Sequence, residues 1–135
     1  MNIKNVPLEW VNRVWQDVEE YLAAALQHSK GDYTVDQAKA LIASGEWSLL
    51  VAVEGEEILG AATVSFYNRP NDRVALVTAI GGKAITNTES FKQLKMFAES
   101  NGATVIECAA RKSMVRLLRH FNFEPKYQIV EARLL

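Results

Sequence analysis

The segment from Val74 to Ala110, VALVTAIGGKAITNTESFKQLKMFAESNGATVIECAA, decides the fold because two apolar runs in it flank a helical pattern. Nearly continuous apolar runs, here Val74–Ile80 and Ala103–Ala110, are typical of strands that are buried on both faces. The residues between them have apolar side chains at steps of three and four, a capping-box spacing at Thr86–Glu89 and a closing glycine at Gly102, which predicts a helix. A strand, a helix and a strand in this order predict adjacent parallel strands joined by a right-handed crossover.

The residues before this segment predict two helices and an antiparallel hairpin. A short strand at Ile3–Val6 precedes an apolar stripe at helical spacing over residues 8 to about 28, and a second helix is predicted at about 35–44, after a capping-box spacing that begins at Thr34. Two runs of strand-forming residues, Ser48–Val53 and Ile58–Tyr67, are separated by a charged turn with one glycine, which predicts a hairpin.

The residues after this segment predict one more helix and a final strand. Apolar side chains at steps of three, four and seven predict the helix over Ser113–Phe121, and Tyr127–Leu134 has the composition of a strand. The whole order predicts an α/β protein of one domain, residues 1–135, with a mixed central sheet flanked by four helices.

The composition excludes several classes of protein. The chain has 135 residues, of which 49% are hydrophobic and 23% charged, and this balance excludes disordered and low-complexity proteins. One cysteine, Cys108, excludes a disulfide framework, and with only two histidines we expect no metal centre. The sequence contains no apolar run of 18 residues and no signal-peptide pattern, so we expect a cytoplasmic protein without a membrane segment.

The charges are divided unevenly between the two ends of the sequence, although the net charge is only −1. Residues 1–80 hold 6 Lys and Arg against 11 Asp and Glu, whereas residues 81–135 hold 9 against 5. This division is compatible with simple solvation of each half, and also with contacts between an acidic and a basic face. Nucleic-acid binding is the weaker interpretation, because the basic stripe Lys112, Arg116 and Arg119 has no exposed aromatic residues among it.

The element order resembles that of the GNAT (GCN5-related N-acetyltransferase) superfamily over the whole chain. The segment Glu56–Ala62 resembles the family's glycine-containing strand after the hairpin, and Arg111–Phe123 resembles its last helix, with Asn122-Phe123 where the family has a Gly-Phe pair. The segments Asp32–Thr34 and Gly45–Trp47 resemble the GNAT-like proteins of tailed bacteriophages. The resemblance implies a GNAT fold that binds acetyl-coenzyme A between two central strands that separate.

The resemblance also implies where the cofactor would bind. Members of the family carry a Gln/Arg-x-x-Gly-x-Gly/Ala loop whose backbone N–H groups reach the pyrophosphate at a helix N-terminus. Counting back from Gly102 places this loop on residues 82–87, where Ile85 and Asn87 replace the inner glycines and their Cβ atoms crowd the approach of a phosphate. The cofactor-binding residues expected on this basis are Val77, Thr78, Ala79, Gly82, Lys83, Ala84, Thr86, Thr88 and Arg111.

The catalytic residues of the family have no counterpart that the sequence can identify. The tyrosine that protonates the departing thiolate in the family corresponds to Leu118, and the strand Val74–Ile80 has no acidic residue. Glu107 is the remaining carboxylate candidate on an inner strand, and Cys108 lies among apolar neighbours typical of an unreactive thiol. The catalytic residues therefore stay unassigned.

Two functions remain open from the sequence. The first is an acetyl-CoA-dependent N-acyltransferase with a degenerate pyrophosphate loop. The second is a non-catalytic GNAT-like phage protein with a structural, virion-assembly or regulatory binding role, located in the host cytoplasm or in the virion. For the second function, the expected partners are further copies of the chain or another phage structural protein.

Overall fold

The computed structural model describes residues 1–84 and 87–135. Its strands are β1 (Asn2–Asn5), β2 (Ser48–Glu54), β3 (Glu57–Asn68), β4 (Arg73–Gly82) and β5 (Val105–Cys108). Its helices are α1 (Val11–Leu26), α2 (Val35–Ala43), α3 (Thr88–Ser100) and α4 (Lys112–Arg119), and short 3-10 turns at Leu8–Trp10 and Gln27–Ser29 flank α1.

The five strands form one mixed sheet in the order β1-β2-β3-β4-β5. The first four strands pair antiparallel with their neighbours, whereas β4 and β5 pair parallel, with Val74 opposite Val105 and Val77 opposite Cys108. Helix α3 connects these two parallel strands, as the sequence predicts. The mixed sheet and the four helices confirm the predicted fold class.

Alternating residues of the strands bury two apolar clusters, one on each face of the sheet. Leu49, Val51 and Ala61 face α1 and α2, and the intervening Leu50 and Ala62 face α3. The apolar stripe of α1 is buried along its whole length, at Val11, Trp15, Val18, Leu22 and Leu26. The apolar side of each of these helices therefore packs against an apolar face of the sheet, which sets the orientation of the helix.

Of the two predicted capping boxes, the one that begins at Thr34 forms with the predicted residues, and the start of α3 has a different cap. The Oγ1 atom of Thr34 accepts a hydrogen bond from the Gln37 N–H at 3.1 Å, and the Gln37 side chain accepts one from the Thr34 N–H at 2.9 Å. Helix α3 is capped instead by Asn87, whose Oδ1 atom accepts a hydrogen bond from the Ser90 N–H at 2.8 Å. Asn is at least as good a cap as Thr, so the helix begins one residue later than a cap at Thr86 implies.

The final strand predicted over Tyr127–Leu134 is wrong. Residues 124–135 contain no helix or strand, and all of them are exposed. A sequence with a strand pattern forms a strand only when its backbone N–H and C=O groups pair with those of a neighbouring strand. This segment pairs with no strand of the described chain. As a consequence β5 lies at the edge of the sheet and its residues Val105–Cys108 are only half-buried, so the prediction that Ala103–Ala110 is buried on both faces is also wrong.

Helix α4 ends through the residue that replaces the family's glycine. Asn122 has φ +67°, and the N–H of Phe123 donates to the carbonyl of Leu118 at 3.1 Å, which is the left-handed end of a helix. Asn is the non-glycine residue that tolerates this conformation best, together with Asp. Asn122 therefore ends α4 in the left-handed conformation that glycine most often adopts at this position.

Candidate cofactor site

The candidate site is the place where β4 and β5 stop pairing. Their ladder ends at Val77 and Cys108, while β4 continues for five residues, from Thr78 to Gly82. Over these residues β4 keeps its ladder with β3, up to the pair Gly60–Gly82. The other edge of β4 therefore has no strand partner there, among residues 1–84 and 87–135.

A bulge at Thr78 marks the start of this unpaired stretch. The pairing with β3 passes from Val64–Val77 to Thr63–Ala79, which leaves Thr78 as the extra residue. The Oγ1 atoms of Thr78 and Thr63 lie 2.7 Å apart, so the fully buried Thr63 hydroxyl has a hydrogen-bond partner. The Thr78 side chain is consequently engaged with β3, and its backbone is the part that faces the unpaired edge.

Two helix N-termini lie at the end of the sheet where β4 and β5 terminate. Because β4 and β5 are parallel, their carboxyl ends lie together, and α3 and α4 both begin just after them. Exposed Lys83 and Thr88 belong to the first of these connections, and exposed Arg111, the residue before α4, belongs to the second. The partial positive charge of the two helix N-termini and the cationic side chains beside them make this end of the sheet suitable for binding an anion.

A buried hydroxyl without a partner lies in the first turn of α3. Ser90 is fully buried, and its Oγ atom has no hydrogen-bond partner among the described residues. Buried polar atoms are normally paired, so this hydroxyl is available as a donor to a ligand at the N-terminus of α3. Ser90 is not among the residues predicted from the sequence, although its place three residues after Asn87 could have indicated it.

Two other features of the same turn oppose anion binding. Asn87 supplies its own oxygen to the Ser90 N–H, which is one of the donors that an anion would use. Glu89 adds a carboxylate in the first turn, held by Gln93 at 3.2 Å. Asn87 has φ −153°, so this position needs no glycine, and its oxygen rather than its Cβ competes with a phosphate.

The structure disperses the predicted cofactor-binding residues among several roles. Val77, Ala79 and Ala84 have buried side chains in the apolar clusters, so only their backbones could meet a ligand. Gly82 has φ +66°, and a Cβ there would lie 2.5 Å from the carbonyl oxygen of Leu59, which means that packing alone requires glycine. Thr86, and Ile85 with its expected crowding of the phosphate, lie outside the described residues.

Glu107 belongs to a separate polar cluster on the α1 face of the sheet. Its carboxylate forms an ion pair with Arg69 at 2.6 Å, accepts a hydrogen bond from the Tyr67 hydroxyl at 3.2 Å and lies 3.7 Å from the Lys126 ammonium. Burial acts to raise the pKa of Glu107, but the hydrogen bond and charge of Arg69, with help from Tyr67 and Lys126, lower it below its usual range. The pKa of Tyr67 is raised by burial and by the Glu107 charge.

The remaining candidates of the sequence analysis are apolar in their surroundings. Burial raises the pKa of the Cys108 thiol to about 11, so the thiol is neutral at physiological pH. Leu118, at the position of the family's tyrosine, is buried and contributes only packing.

Among the described residues, no group of three His, Cys, Asp or Glu side chains could hold a metal ion, and no helix has the length and apolarity to cross a bilayer.

Solved structures share this fold over nearly the whole chain. A ribosomal-protein-alanine N-acetyltransferase from Brucella melitensis biovar Abortus 2308 has a TM-score of 0.69 and 15% identity, with 99% of this chain and 100% of that one covered. A protein of Clostridium acetobutylicum described as a predicted acetyltransferase, with acetyl-CoA, has a TM-score of 0.66 and 14% identity, with coverages of 98% and 96%.

A protein described as a transcriptional regulator, from Bacillus halodurans C-125, also shares the fold, with a TM-score of 0.67, 16% identity and coverages of 98% and 99%. No protein-family model and no curated protein matches the sequence. The fold is thus the GNAT fold found in acetyltransferases, and at these identities the likeness establishes the fold alone.

Proposed function

We propose that the chain is an N-acyltransferase that uses acetyl-CoA and holds it along the unpaired edge of β4, at Thr78–Gly82. The observation that carries the proposal is the end of the β4–β5 ladder at Val77 and Cys108, which leaves backbone groups of β4 available beside two helix N-termini. An extended amide-containing ligand arm can pair with such an edge as a further strand would. Acetyl-CoA would supply an acetyl group activated as a thioester.

The residues fit the two ends of this cofactor unequally. The backbone of Thr78–Gly82 suits the extended arm, and the orphan Ser90 hydroxyl with Lys83, Thr88 and Arg111 suits the phosphates. The Asn87 cap and the Glu89 carboxylate oppose phosphate binding, which supports the proposal of a degenerate loop. We therefore expect a dissociation constant for acetyl-CoA on the order of 0.1 mM, or about −5.5 kcal/mol.

The chain's own contribution to acyl transfer is positioning. Leu118 offers no proton, Glu107 is engaged by Arg69 and Tyr67, and β4 has no acidic residue. Holding an amine beside a thioester can supply much of a rate enhancement by itself, and proton transfer then passes to water. The acceptor is an amine, which agrees with the N-acetyltransferase activity named for the Brucella protein.

Calorimetric titration of the chain and of Asn87→Gly with acetyl-CoA and with CoA tests this proposal. Glycine removes the competing side-chain oxygen at a cost of only a few tenths of a kcal/mol in helix stability. We expect Asn87→Gly to bind about three- to tenfold more tightly than the parent, since a first-turn N–H becomes available to the phosphate.

Asn101→Gly is the matched control, because Asn101 lies at the opposite end of α3. It should bind acetyl-CoA as the parent does. Equal affinities of the parent and Asn87→Gly would contradict the role given to the cap. No saturable heat with any of the three proteins would contradict the proposed function.

The second candidate is a non-catalytic GNAT-like protein of the phage type, acting in virion assembly or as a regulatory binding module. The self-capped N-terminus of α3 favours it, because Asn87 already fills one of the donors that a cofactor phosphate would use. In that case the protein acts through a binding surface, and the candidate surface is the basic stripe of α4, Lys112, Arg116 and Arg119. Titrations without CoA binding, together with loss of partner association in Lys112→Glu/Arg116→Glu, would select this function.

A further inference from the structure

The phosphate end of the candidate site is poorly suited to a nucleotide with several phosphates. The Ser90 N–H donates to Asn87 Oδ1 at 2.8 Å, and Glu89 adds a carboxylate to the first turn of α3. Acetyl-CoA brings a diphosphate and a further ribose phosphate, and a carboxylate beside a helix N-terminus repels such anions. The backbone of Thr78–Gly82, in contrast, has an unpaired side within residues 1–84 and 87–135. The site therefore favours the extended arm of the cofactor over its nucleotide.

The exposed face of α4, which begins beside this site, is strongly basic. Residues 109–123 hold four Lys and Arg and no Asp or Glu. Three of these cations, Lys112, Arg116 and Arg119, are exposed at steps of four and three residues, so they follow one face of α4. None of the three forms an ion pair with another described residue. A row of unpaired cations at the mouth of a site is complementary to an acidic surface.

The turn between β2 and β3 makes the opposite side of the same end acidic. Because β3 runs antiparallel to β4, the start of β3 lies at the end of β4, with Gly60 opposite Gly82. Glu54, Glu56 and Glu57 of this turn are exposed. An acidic partner is repelled by the turn and attracted by α4, so the two charged surfaces determine the side from which it approaches.

We propose that the acyl donor of this site is a thioester on a phosphopantetheine arm that an acidic carrier protein presents while docked on the basic stripe of α4. The proposal rests on the proposed function, because this arm is the part of acetyl-CoA that would pair with the backbone of Thr78–Gly82. An arm attached to a protein ends in a single phosphodiester. The remaining donors at the start of α3, the Ser90 hydroxyl and the Lys83 ammonium, suit that smaller charge.

The reaction with such a donor is the aminolysis of a thioester. The acceptor nitrogen forms a bond to the acyl carbon, and the bond from that carbon to sulfur breaks. The sulfur keeps the electron pair and receives, through water, the proton that the nitrogen loses. The arm therefore leaves as a thiol on the carrier, and no further reactant is needed.

Calorimetric titrations of the full chain with S-acetyl-pantetheine and with acetyl-CoA test which part of the donor is recognised. S-acetyl-pantetheine has the arm without any phosphate. We expect the two dissociation constants to agree within about threefold, since the phosphates gain little at this helix N-terminus. Binding of acetyl-CoA that is tighter by about tenfold or more would show that the nucleotide is recognised, and would overturn the proposal.

Titration with an acyl carrier protein charged with acetyl-phosphopantetheine tests the docking surface. We expect it to bind about tenfold more tightly than acetyl-CoA at low salt, because docking and arm insertion act together, and to weaken as ionic strength rises. Arg116→Glu/Arg119→Glu should weaken carrier binding about tenfold or more and leave the affinity for S-acetyl-pantetheine unchanged.

Lys4→Glu/Arg13→Glu is the matched control, because it makes the same change of net charge at exposed positions. Lys4 lies on β1, at the edge of the sheet opposite β5, and Arg13 lies in the first turn of α1. This variant should bind the charged carrier as the parent does. Circular dichroism checks that both double variants are folded.

Nitrogen-15 NMR of the chain separates failure of this proposal from failure of the proposed function. The charged carrier should shift the amides of Thr78–Gly82, and the same carrier without its arm should not. No binding of the charged carrier, equal binding without the arm, or equal weakening in both double variants would each overturn the proposal, while shifts of these amides by acetyl-CoA would still support the proposed function. Amides of Thr78–Gly82 that respond to neither acetyl-CoA nor S-acetyl-pantetheine would contradict the proposed function itself.

Discussion

Gly81 shows how a single residue fixes the end of β4 against α1. A Cβ on Gly81 would collide with the backbone carbonyl of Tyr21, and no rotamer change can relieve a clash with backbone. We expect Gly81→Ala to destabilise the fold by about 2–3 kcal/mol, as overpacked core positions do.

Chemical denaturation of Gly81→Ala beside Gly55→Ala measures this effect. Gly55 has no atom within 4 Å of a Cβ but has φ +62°, so alanine there adds only backbone strain, of about 1 kcal/mol. Equal losses of unfolding free energy in the two variants would show that the packing of Tyr21 on Gly81 is not the reason for the glycine.

The Cys108 thiol makes the free energy of unfolding depend on pH in the alkaline range. Burial raises the pKa of its thiol to about 11 in the folded chain, whereas an unfolded thiol titrates near 8.5. Between these two values the unfolded state loses a proton that the folded state keeps. The stabilising contribution is therefore complete below about pH 8.5 and is lost as the pH rises towards 11.

Unfolding free energies of the chain and of Cys108→Ala from pH 7 to 10.5 test this dependence. The parent should lose stability relative to the variant as the pH rises, and its thiol should react slowly with iodoacetamide at pH 8. Parallel pH profiles, or rapid alkylation of the folded chain at pH 8, would contradict the assignment of a buried neutral thiol.

At the scale of elements, Glu107 connects the ends of β3 and β5 through Arg69 and Tyr67. Its lowered pKa means that the carboxylate is charged and paired at neutral pH, and that its contribution to stability is present at neutral pH and lost as the solution is acidified through that pKa. A carboxylate with a lowered pKa is also a poor general base near pH 7.

Carbon-13 NMR titration of the Glu107 carboxyl group measures this directly. We expect a pKa below the ordinary glutamate value of about 4.3 and an upward shift in Arg69→Gln. Lys126→Gln should shift it less, because Lys126 is farther away, at 3.7 Å against 2.6 Å, and more exposed. A pKa near 6 in the parent would instead restore Glu107 as a catalytic base candidate.

The sequence predicts those elements whose signal is local or repeated. The stripe of α1 and the hairpin of β2 and β3 repeat a pattern over many residues, and the capping box of Thr34 and Gln37 is a local signal. The structure confirms all three. The start of α3 is predicted one residue early because two good caps, Thr86 and Asn87, are adjacent. The last strand could not be settled from composition, because a strand needs a partner that its own sequence does not specify.

The candidate site was only partly predictable for the same reason. The position of the loop follows from the spacing to Gly102, but the competition from Asn87 follows from one hydrogen bond, to the Ser90 N–H. The burial of Ser90 and the engagement of Thr78 by Thr63 depend on tertiary contacts that no spacing reveals. Gly82 was predicted as a phosphate contact, whereas the structure gives it a packing reason.

At the scale of the whole molecule, the sheet has one open place inside it and one open place at its edge. The inner one, along Thr78–Gly82, has the two helix N-termini of α3 and α4 beside it and supports the proposed cofactor site. The outer one, along β5, has an exposed apolar segment of the same chain, residues 124–135, beside it.

Nitrogen-15 NMR of the chain during titration with acetyl-CoA tests the central claim most directly. We predict saturable shifts, with a dissociation constant on the order of 0.1 mM, in the amides of Thr78–Gly82, of Thr88–Ser90 and of residues 110–113. Spectra that do not change at several millimolar acetyl-CoA, or shifts confined to residues away from the unpaired edge of β4, would contradict it.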